Sequence, residues 1–233
     1  MSNVLVITGG SRGIGKATIE KFLKEGWQAI NVSRSACDVS GVINVELDLA
    51  LVKNANEIAQ KLGSHLKNAD HICLVHNAAW YKRDSIHTLE VNDLQKMLHV
   101  NVVAAALLNH AALPYMKSGS GIVYIGSTLA EKAVPGSASY TITKHAIIGM
   151  MRATTQDLAS KNITSCCICP GLVDTDMVKE NMDDATVATI IKHSVIGGRL
   201  IYPKEIADAI FFCGTNPLFN GSVLHANLGQ QMN

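Results

Sequence analysis

Val4-Leu5-Val6-Ile7-Thr8-Gly9-Gly10-Ser11-Arg12-Gly13-Ile14-Gly15 stands near the N-terminus of a 233-residue chain. Four apolar residues closed by a glycine pair read as a buried strand. Ile14, Ala17, Phe22 and Leu23 then recur at helical spacing, and Gly26 supplies a stop. A turn between a strand and a helix aims the free N–H groups of the helix start at an anion. Gly9 lets the chain turn sharply, and Gly13 and Gly15 remove side chains where a pyrophosphate and a neighbouring strand must come close. Gly9, Ser11, Arg12, Gly13, Ile14 and Gly15 are therefore candidate dinucleotide-binding residues, spaced G-x-x-x-G-x-G.

Outward from this turn, strands and helices alternate. Strands are expected at Ala29–Val32, Val42–Leu47, His71–Val75, Gly121–Ile125, Ile163–Ile168 and Ser222–Ala226. Helical faces are expected from Ala55 to about Gly63 or a turn beyond, from Leu94 towards Pro114 as one long helix, and over Ala138–Leu158. The order predicts an α/β fold: a single Rossmann-type domain over 1–233, with a doubly wound parallel sheet of about seven strands and helices on both faces. Residues 174–199 break the tight alternation. They carry Met177, Met182, Val187, Ile190 and Ile191 and end near Gly197-Gly198. A helical insertion with a glycine hinge, beyond the C-terminal strand ends, is expected to act as a substrate lid.

An apolar fraction of 48% and a charged fraction of 17% describe a globular chain able to bury a large core. The formal net charge of +1 points to neither a nucleic-acid nor a membrane-surface partner. No basic leader with an apolar core begins the chain, and no apolar run reaches bilayer length, so a cytoplasmic protein is expected. The six cysteines form no C-x-x-C pair and the histidines no H-E-x-x-H, so no metal site is expected; Cys166, Cys167 and Cys169 read as small hydrophobes in a buried strand.

The second strand ends Val32-Ser33-Arg34-Ser35, with no acidic residue to accept from an adenosine 2′-hydroxyl. Arg34 suits a 2′-phosphate, Ser33 can donate to its oxygens, and Arg12 could reach the same group. NADP(H) is therefore expected in preference to NAD(H). Ser127 follows the fifth strand. Tyr140 and Lys144, four apart, share one face of a helix one turn apart. A lysine ammonium beside a phenol is expected to lower its pKa and make it a general acid or base, and Ser127 can hydrogen-bond a substrate oxygen as charge develops.

With these pieces in place, the chain resembles the short-chain dehydrogenase/reductase family over essentially its whole length. The matching residues are Thr8 to Gly15, Asp48-Leu49, Asn77-Ala78-Ala79, Asn101, Ser127, Tyr140-Thr141-Ile142-Thr143-Lys144, Pro170-Gly171 with Thr175, and the tail Gly221–Gly229. The resemblance implies hydride transfer between a nicotinamide and a carbonyl or secondary alcohol, with Asn101, Ser127, Tyr140 and Lys144 as the catalytic group. Asp48 and Leu49 would meet the adenine, Asn77, Ala78 and Ala79 would border the cofactor, and Lys144 would also hold the nicotinamide ribose. Pro170, Gly171, Val173 and Thr175 would close around the nicotinamide and its phosphates. The same resemblance implies a homodimer or homotetramer paired through the helices beginning near Asp93 and Ala138. The tail and the Gly198–Ala207 segment are similar to 3-oxoacyl-ACP reductases, for which Lys117 and Lys161 would have to supply a carrier-docking face. A non-catalytic NADP(H) sensor is the alternative from another class; the presence of both Tyr140 and Lys144 argues for the enzyme. His76 stands where the family more often has asparagine, and Leu228 where it has glycine.

Overall fold

The computed structural model describes residues 2–194 and 196–230. Its seven strands are β1 Asn3–Thr8, β2 Gln28–Ser33, β3 Val42–Glu46, β4 His71–His76, β5 Gly121–Ile125, β6 Thr164–Pro170 and β7 Val223–Ala226. They form one sheet in the order β3-β2-β1-β4-β5-β6-β7, with every neighbouring pair parallel. This is the expected doubly wound α/β architecture. The winding reverses between β1 and β4, and that switch point opens a crevice beyond their carboxyl ends.

The central strands β1, β4 and β5 are apolar almost throughout because both sheet faces are covered there, whereas the edge strands β3 and β7 are mostly half-buried or exposed. Alternate residues point to opposite faces. Val4, Val6, Ile72, Leu74 and Ile122 pack with Ile58 and Leu62 of α2 (Ala55–Leu66), Leu108 of α4 (Ala104–Ala112) and Ile147 and Met151 of α5 (Ala138–Leu158). Leu5, Ile7, Val75 and Val123 pack on the other face with Ile19 and Phe22 of α1 (Gly13–Lys24) and Ile206 and Ile210 of α8 (Pro203–Thr215). Phe22 is fully buried and meets Trp27 and Phe211 edge-on at 5.2 and 5.0 Å; truncating such a side chain to alanine costs about 3–5 kcal/mol.

The structure departs from the sequence expectation in the helix before Pro114 and in helix α8. The helix expected from Leu94 to Pro114 is interrupted: α3 spans Val91–Leu98, a π turn covers His99–Val103, and α4 follows. The extra residue in that turn frees Asn101 to bond outside its own helix. Val91–Tyr115 is long and apolar enough to cross a bilayer by composition, yet it packs in this core. Within 174–199 the described residues hold two helices, α6 (Asp176–Asn181) and α7 (Asp184–Ser194), in line with the helical insertion expected. Helix α8 was not anticipated, although Pro203 at its first turn and Glu205, whose carboxylate accepts the Tyr202 N–H at 2.8 Å, are ordinary start signals. Leu228, at the position where the family has glycine, keeps a left-handed φ of +51°, while its carbonyl accepts the Ile196 N–H at 2.8 Å.

Candidate active site

A cleft of about 850 Å³ lies beyond the carboxyl ends of the strands. At its β1 end, Gly9, Ser11, Arg12, Gly13 and Ile14 form the wall. Gly9 and Gly13 take φ of +68° and +56°, which glycine adopts without strain. A Cβ on Gly9 would come within 3.0 Å of Ala78 Cα, and one on Gly13 within 3.2 Å of Thr175 Cγ2. Gly15 does not line the cleft. A Cβ there would meet the Gly9 carbonyl oxygen at 2.2 Å, so it serves the close packing of helix on loop. Behind the loop, Asn77 Nδ2 donates to the Thr8 and Gly9 carbonyls, both at 3.0 Å, and Thr8 Oγ1 accepts from the N–H groups of Asn77 and Ala78. These bonds lock the ends of β1 and β4 together across the switch point.

The start of α1 carries no side-chain cap and no acid in its first turn. By contrast, α2 is capped by Asn54, which accepts from Glu57 N at 3.1 Å. An uncapped helix start facing a glycine-rich wall is a fit for a dinucleotide pyrophosphate. Ser33, Arg34, Asp48 and Leu49 line the adjoining end, with Arg34 exposed. Asp48 is half-buried and accepts from Ala50 N at 2.9 Å. Pro170, Gly171, Val173 and Thr175 line the opposite side together with Ala78 and Ala79. Thr175 sits at the N-cap of α6, but its hydroxyl bonds the Val173 carbonyl rather than capping the helix. Arg12 does not reach towards Arg34. Its guanidinium pairs with Asp176 at 3.0 Å and Glu180 at 3.2 Å on α6.

Ser127, Tyr140 and Lys144 all line the cleft, the last two one helical turn apart on α5. Ser127 ends the loop after β5 and caps a short turn, accepting from Leu129 N at 3.1 Å. Tyr140 lies in the first turn of α5. Lys144, buried one turn on, sends Nζ to the Ile125 carbonyl at 2.7 Å and lies 5.3 Å from the centre of the Tyr140 ring. The electrostatics correct one expectation. Lys144 does not pull the phenol down; burial, reinforced by the neighbouring Tyr81, holds Tyr140 well above the ordinary tyrosine value. Burial also lowers Lys144 to about 8, with two nearby cysteine thiols, Cys167 and Cys169, opposing that shift. The cost of desolvating the charge outweighs the attraction at this site.

Asn101 is buried and off the cleft wall. Its Oδ1 accepts Trp80 N at 2.7 Å, and its Nδ2 donates to Trp80 O at 3.0 Å and Thr143 Oγ1 at 3.1 Å. Thr143 Oγ1 donates onward to the Tyr140 carbonyl at 2.9 Å. Asn101 thus braces the wall from behind.

The strap 80–84 escaped the sequence reading. Trp80 and Tyr81 line the cleft. Lys96 sits 4.4 Å over the Trp80 ring. Buried Asp84 accepts from Ser139 N at 3.0 Å and from the Ser139 hydroxyl in a short bond. Leu129, Val134, Met177, Met182 and Ile190 add an apolar wall. The one available signal was Trp80-Tyr81, two large aromatics directly after Ala78-Ala79. All six cysteines are free and buried, with Cys167 and Cys169 Sγ 3.9 Å apart beneath Gly126. Among the described residues no cluster of three or more His, Cys, Asp or Glu side chains could hold a metal.

Known proteins with the same layout were found by both sequence and structure. Residues 3–186 match the family described as short chain dehydrogenase. The 3-oxoacyl-[acyl-carrier-protein] reductase of Rattus norvegicus is 28% identical, with 100% of this chain and 99% of that protein covered. Carbonyl reductase family member 4 of Danio rerio is 30% identical over the same shares. A short chain dehydrogenase family protein from Francisella tularensis superposes with a TM-score of 0.86 at 27% identity, covering 98% of each chain.

Proposed function

The chain belongs to the short-chain dehydrogenase family, oxidoreductases of carbonyl and alcohol groups, and on that premise we propose that it is an NADP(H)-dependent reductase of a carbonyl substrate in which Tyr140 moves the proton. The observation that carries this reading is the convergence of Ser127, Tyr140 and Lys144 on one wall of a cleft whose other end is a glycine-rich, uncapped helix start. When bound, a reduced nicotinamide supplies the hydride. Gly9, Ser11, Gly13 and Ile14 would hold its pyrophosphate, Asp48 and Leu49 its adenine side, and Pro170, Gly171, Val173 and Thr175 its nicotinamide side. Ser127 and Tyr140 would hold the carbonyl oxygen. A phenol kept protonated by burial stands ready to give its proton to that oxygen as negative charge develops there. Lys144, lowered to about 8 by burial and fixed on the Ile125 carbonyl, stands 5.3 Å from the centre of the Tyr140 ring and would also hold the nicotinamide ribose. Asn101 acts through the Trp80 backbone and Thr143. The reverse reaction uses the same residues.

Selection of NADP(H) is assigned to Arg34, exposed at the end of β2 where no acid stands, with Ser33 beside it; Arg12 would serve as a second cation only on leaving Asp176 and Glu180. Residues 174–199 would act as the lid, hinged at Gly197 and Gly198, whose φ are +78° and +57°. The six free buried thiols suit a reducing, cytoplasmic setting, and pairing through α3–α4 and α5 into a homodimer or homotetramer is the assembly the family suggests.

A panel of ketones, aldehydes and acyl thioesters, followed by nucleotide absorbance, tests the reading. Turnover with NADPH is expected to exceed that with NADH, and Tyr140→Phe is expected to lose about 10²–10⁴-fold in kcat. A clear preference for NADH would remove the cofactor assignment, and normal turnover by Tyr140→Phe would remove the mechanism. Similarity over the full length to a protein named 3-oxoacyl-[acyl-carrier-protein] reductase favours a β-ketoacyl thioester as a second reading; failure to reduce an acetoacetyl thioester eliminates it.

A further inference from the structure

We propose that Tyr81 is a positioning residue for this reaction: its ring sets the orientation of the Tyr140 phenol, and its hydroxyl ties that ring to the start of the helix that carries Tyr140. The proposal rests on the reading of Tyr140 as the acid–base group. The two rings meet edge to face, with centroids 5.1 Å apart and planes at 81°, the arrangement aromatic quadrupoles prefer. The Tyr81 hydroxyl lies 3.1 Å from Ser137 Oγ and 3.5 Å from the Gly136 carbonyl. Ser137 is the N-cap of α5 and is buried.

A helix fixes the Cα of Tyr140 but leaves its side-chain torsions free, and the first turn has no preceding turn to crowd them. A neighbour on the same wall can select one rotamer, and Tyr81 is the ring in contact. It is itself fixed at both ends. Asn101 clamps the Trp80 backbone on one side. Asp84 bonds Ser139 on the other, while Asp84 N donates to Gly136 O at 3.2 Å and Ala138 N to Asp84 O at 3.2 Å. The strap is therefore a rigid mount for one aromatic edge. Because that edge also covers part of the phenol, it helps keep water off Tyr140 and the proton on it.

The test uses three variants of the full chain. Tyr81→Phe keeps the ring but loses the tie to Ser137, and is expected to lower kcat by about two- to fourfold, less than Tyr81→Leu. Tyr81→Leu removes the edge and is expected to lower kcat about tenfold with the NADPH KM unchanged, and to move the alkaline limb of the reduction rate to lower pH by at least about half a unit. A spectroscopic readout needs no substrate. The ultraviolet ionisation of Tyr140, read as a variant with Tyr140 minus the same variant with Tyr140→Phe, is expected to be silent up to about pH 11 in wild type and Tyr81→Phe, and to emerge below that in Tyr81→Leu. If Tyr81→Leu does not fold, Tyr81→Met is read the same way. Wild-type kcat and an unmoved limb in the Leu variant, or a loss of rate without any change in Tyr140 ionisation, overturns the proposal. Should Tyr140→Phe itself turn over normally, it is the functional reading that fails; an inactive Tyr140→Phe beside a normal Tyr81→Leu sinks only the role of Tyr81.

Discussion

Lys144 reaches Ile125 through a buried bond of 2.7 Å, whereas Arg12, at the other end of the same cleft, meets Asp176 and Glu180 through contacts open to solvent, its side chain 61% exposed. The wall built from α5 and the strap 80–84 is fixed by buried and part-buried hydrogen bonds: Ser139 to Asp84, Trp80 to Asn101, Tyr81 to Ser137. The wall built from α6 rests on surface ion pairs and on residues that are half-buried or exposed. Buried bonds are costly to break because the freed groups have no water to turn to. Exposed pairs trade readily with solvent ions. One wall is thus suited to hold reacting groups still, and the other to open and close.

The largest effect that could break this contrast comes from Asp84. Asp84→Ala leaves the Ser139 N–H and hydroxyl unsatisfied in a buried place, and is expected to cost about 3 kcal/mol. Thermal unfolding should then shift down by ~10 °C, with activity falling alongside. A shift within about 2 °C would mean that this wall is not held by its buried bonds.

Next in size is a pH effect on stability. Lys144 has a folded value of about 8 against an ordinary 10.5. Between those values the unfolded chain binds a proton that the native chain has released, so stability rises with pH through this window, by at most about 1.4 kcal/mol per unit. Tyr140 works in the opposite sense. Its folded value is raised, so above the ordinary phenol value the unfolded chain loses a proton that the native chain keeps, and stability falls. Urea unfolding of wild type and Lys144→Met across this range should differ in slope in the window set by the lysine. Parallel curves would show that Lys144 is not desolvated.

The smallest effect belongs to the α6 side. Asp176→Asn with Glu180→Gln frees Arg12 and is expected to lower the NADPH KM by about two- to threefold at low salt, with the difference vanishing at ~0.5 M salt. A difference that persists at high salt, or a drop in melting temperature as large as that of Asp84→Ala, would erase the distinction between the walls.

Much of this molecule was legible in its chain. The central strands were readable because a strand buried on both faces must be apolar nearly throughout, as Val4–Ile7 and Cys166–Ile168 are. Their limits shifted by a residue or two, as at β3, which ends at Glu46 rather than Leu47. The loop Gly9–Gly15 was readable because only glycine suits its positive φ and close approaches. Tyr140 and Lys144 were readable because helix geometry puts residues four apart on one face. The break at His99–Val103 was not, since the bonds that favour it run from Asn101 to Trp80, a partner remote in sequence. Nor was the direction of the Tyr140 shift, because spacing reports that a charge is near and says nothing of how much water has been removed.

Local pattern therefore determined the order of strands and helices, the glycine-rich turn after β1 and the candidate acid–base pair, since each depends on residues within one or two turns of each other. Tertiary structure alone decided which groups surround that pair: Tyr81 against Tyr140, Ile125 under Lys144, and Asp176 and Glu180 on Arg12. Contacts of that kind, and the desolvation that accompanies them, arise only when distant segments pack together, and no periodicity in the chain encodes them.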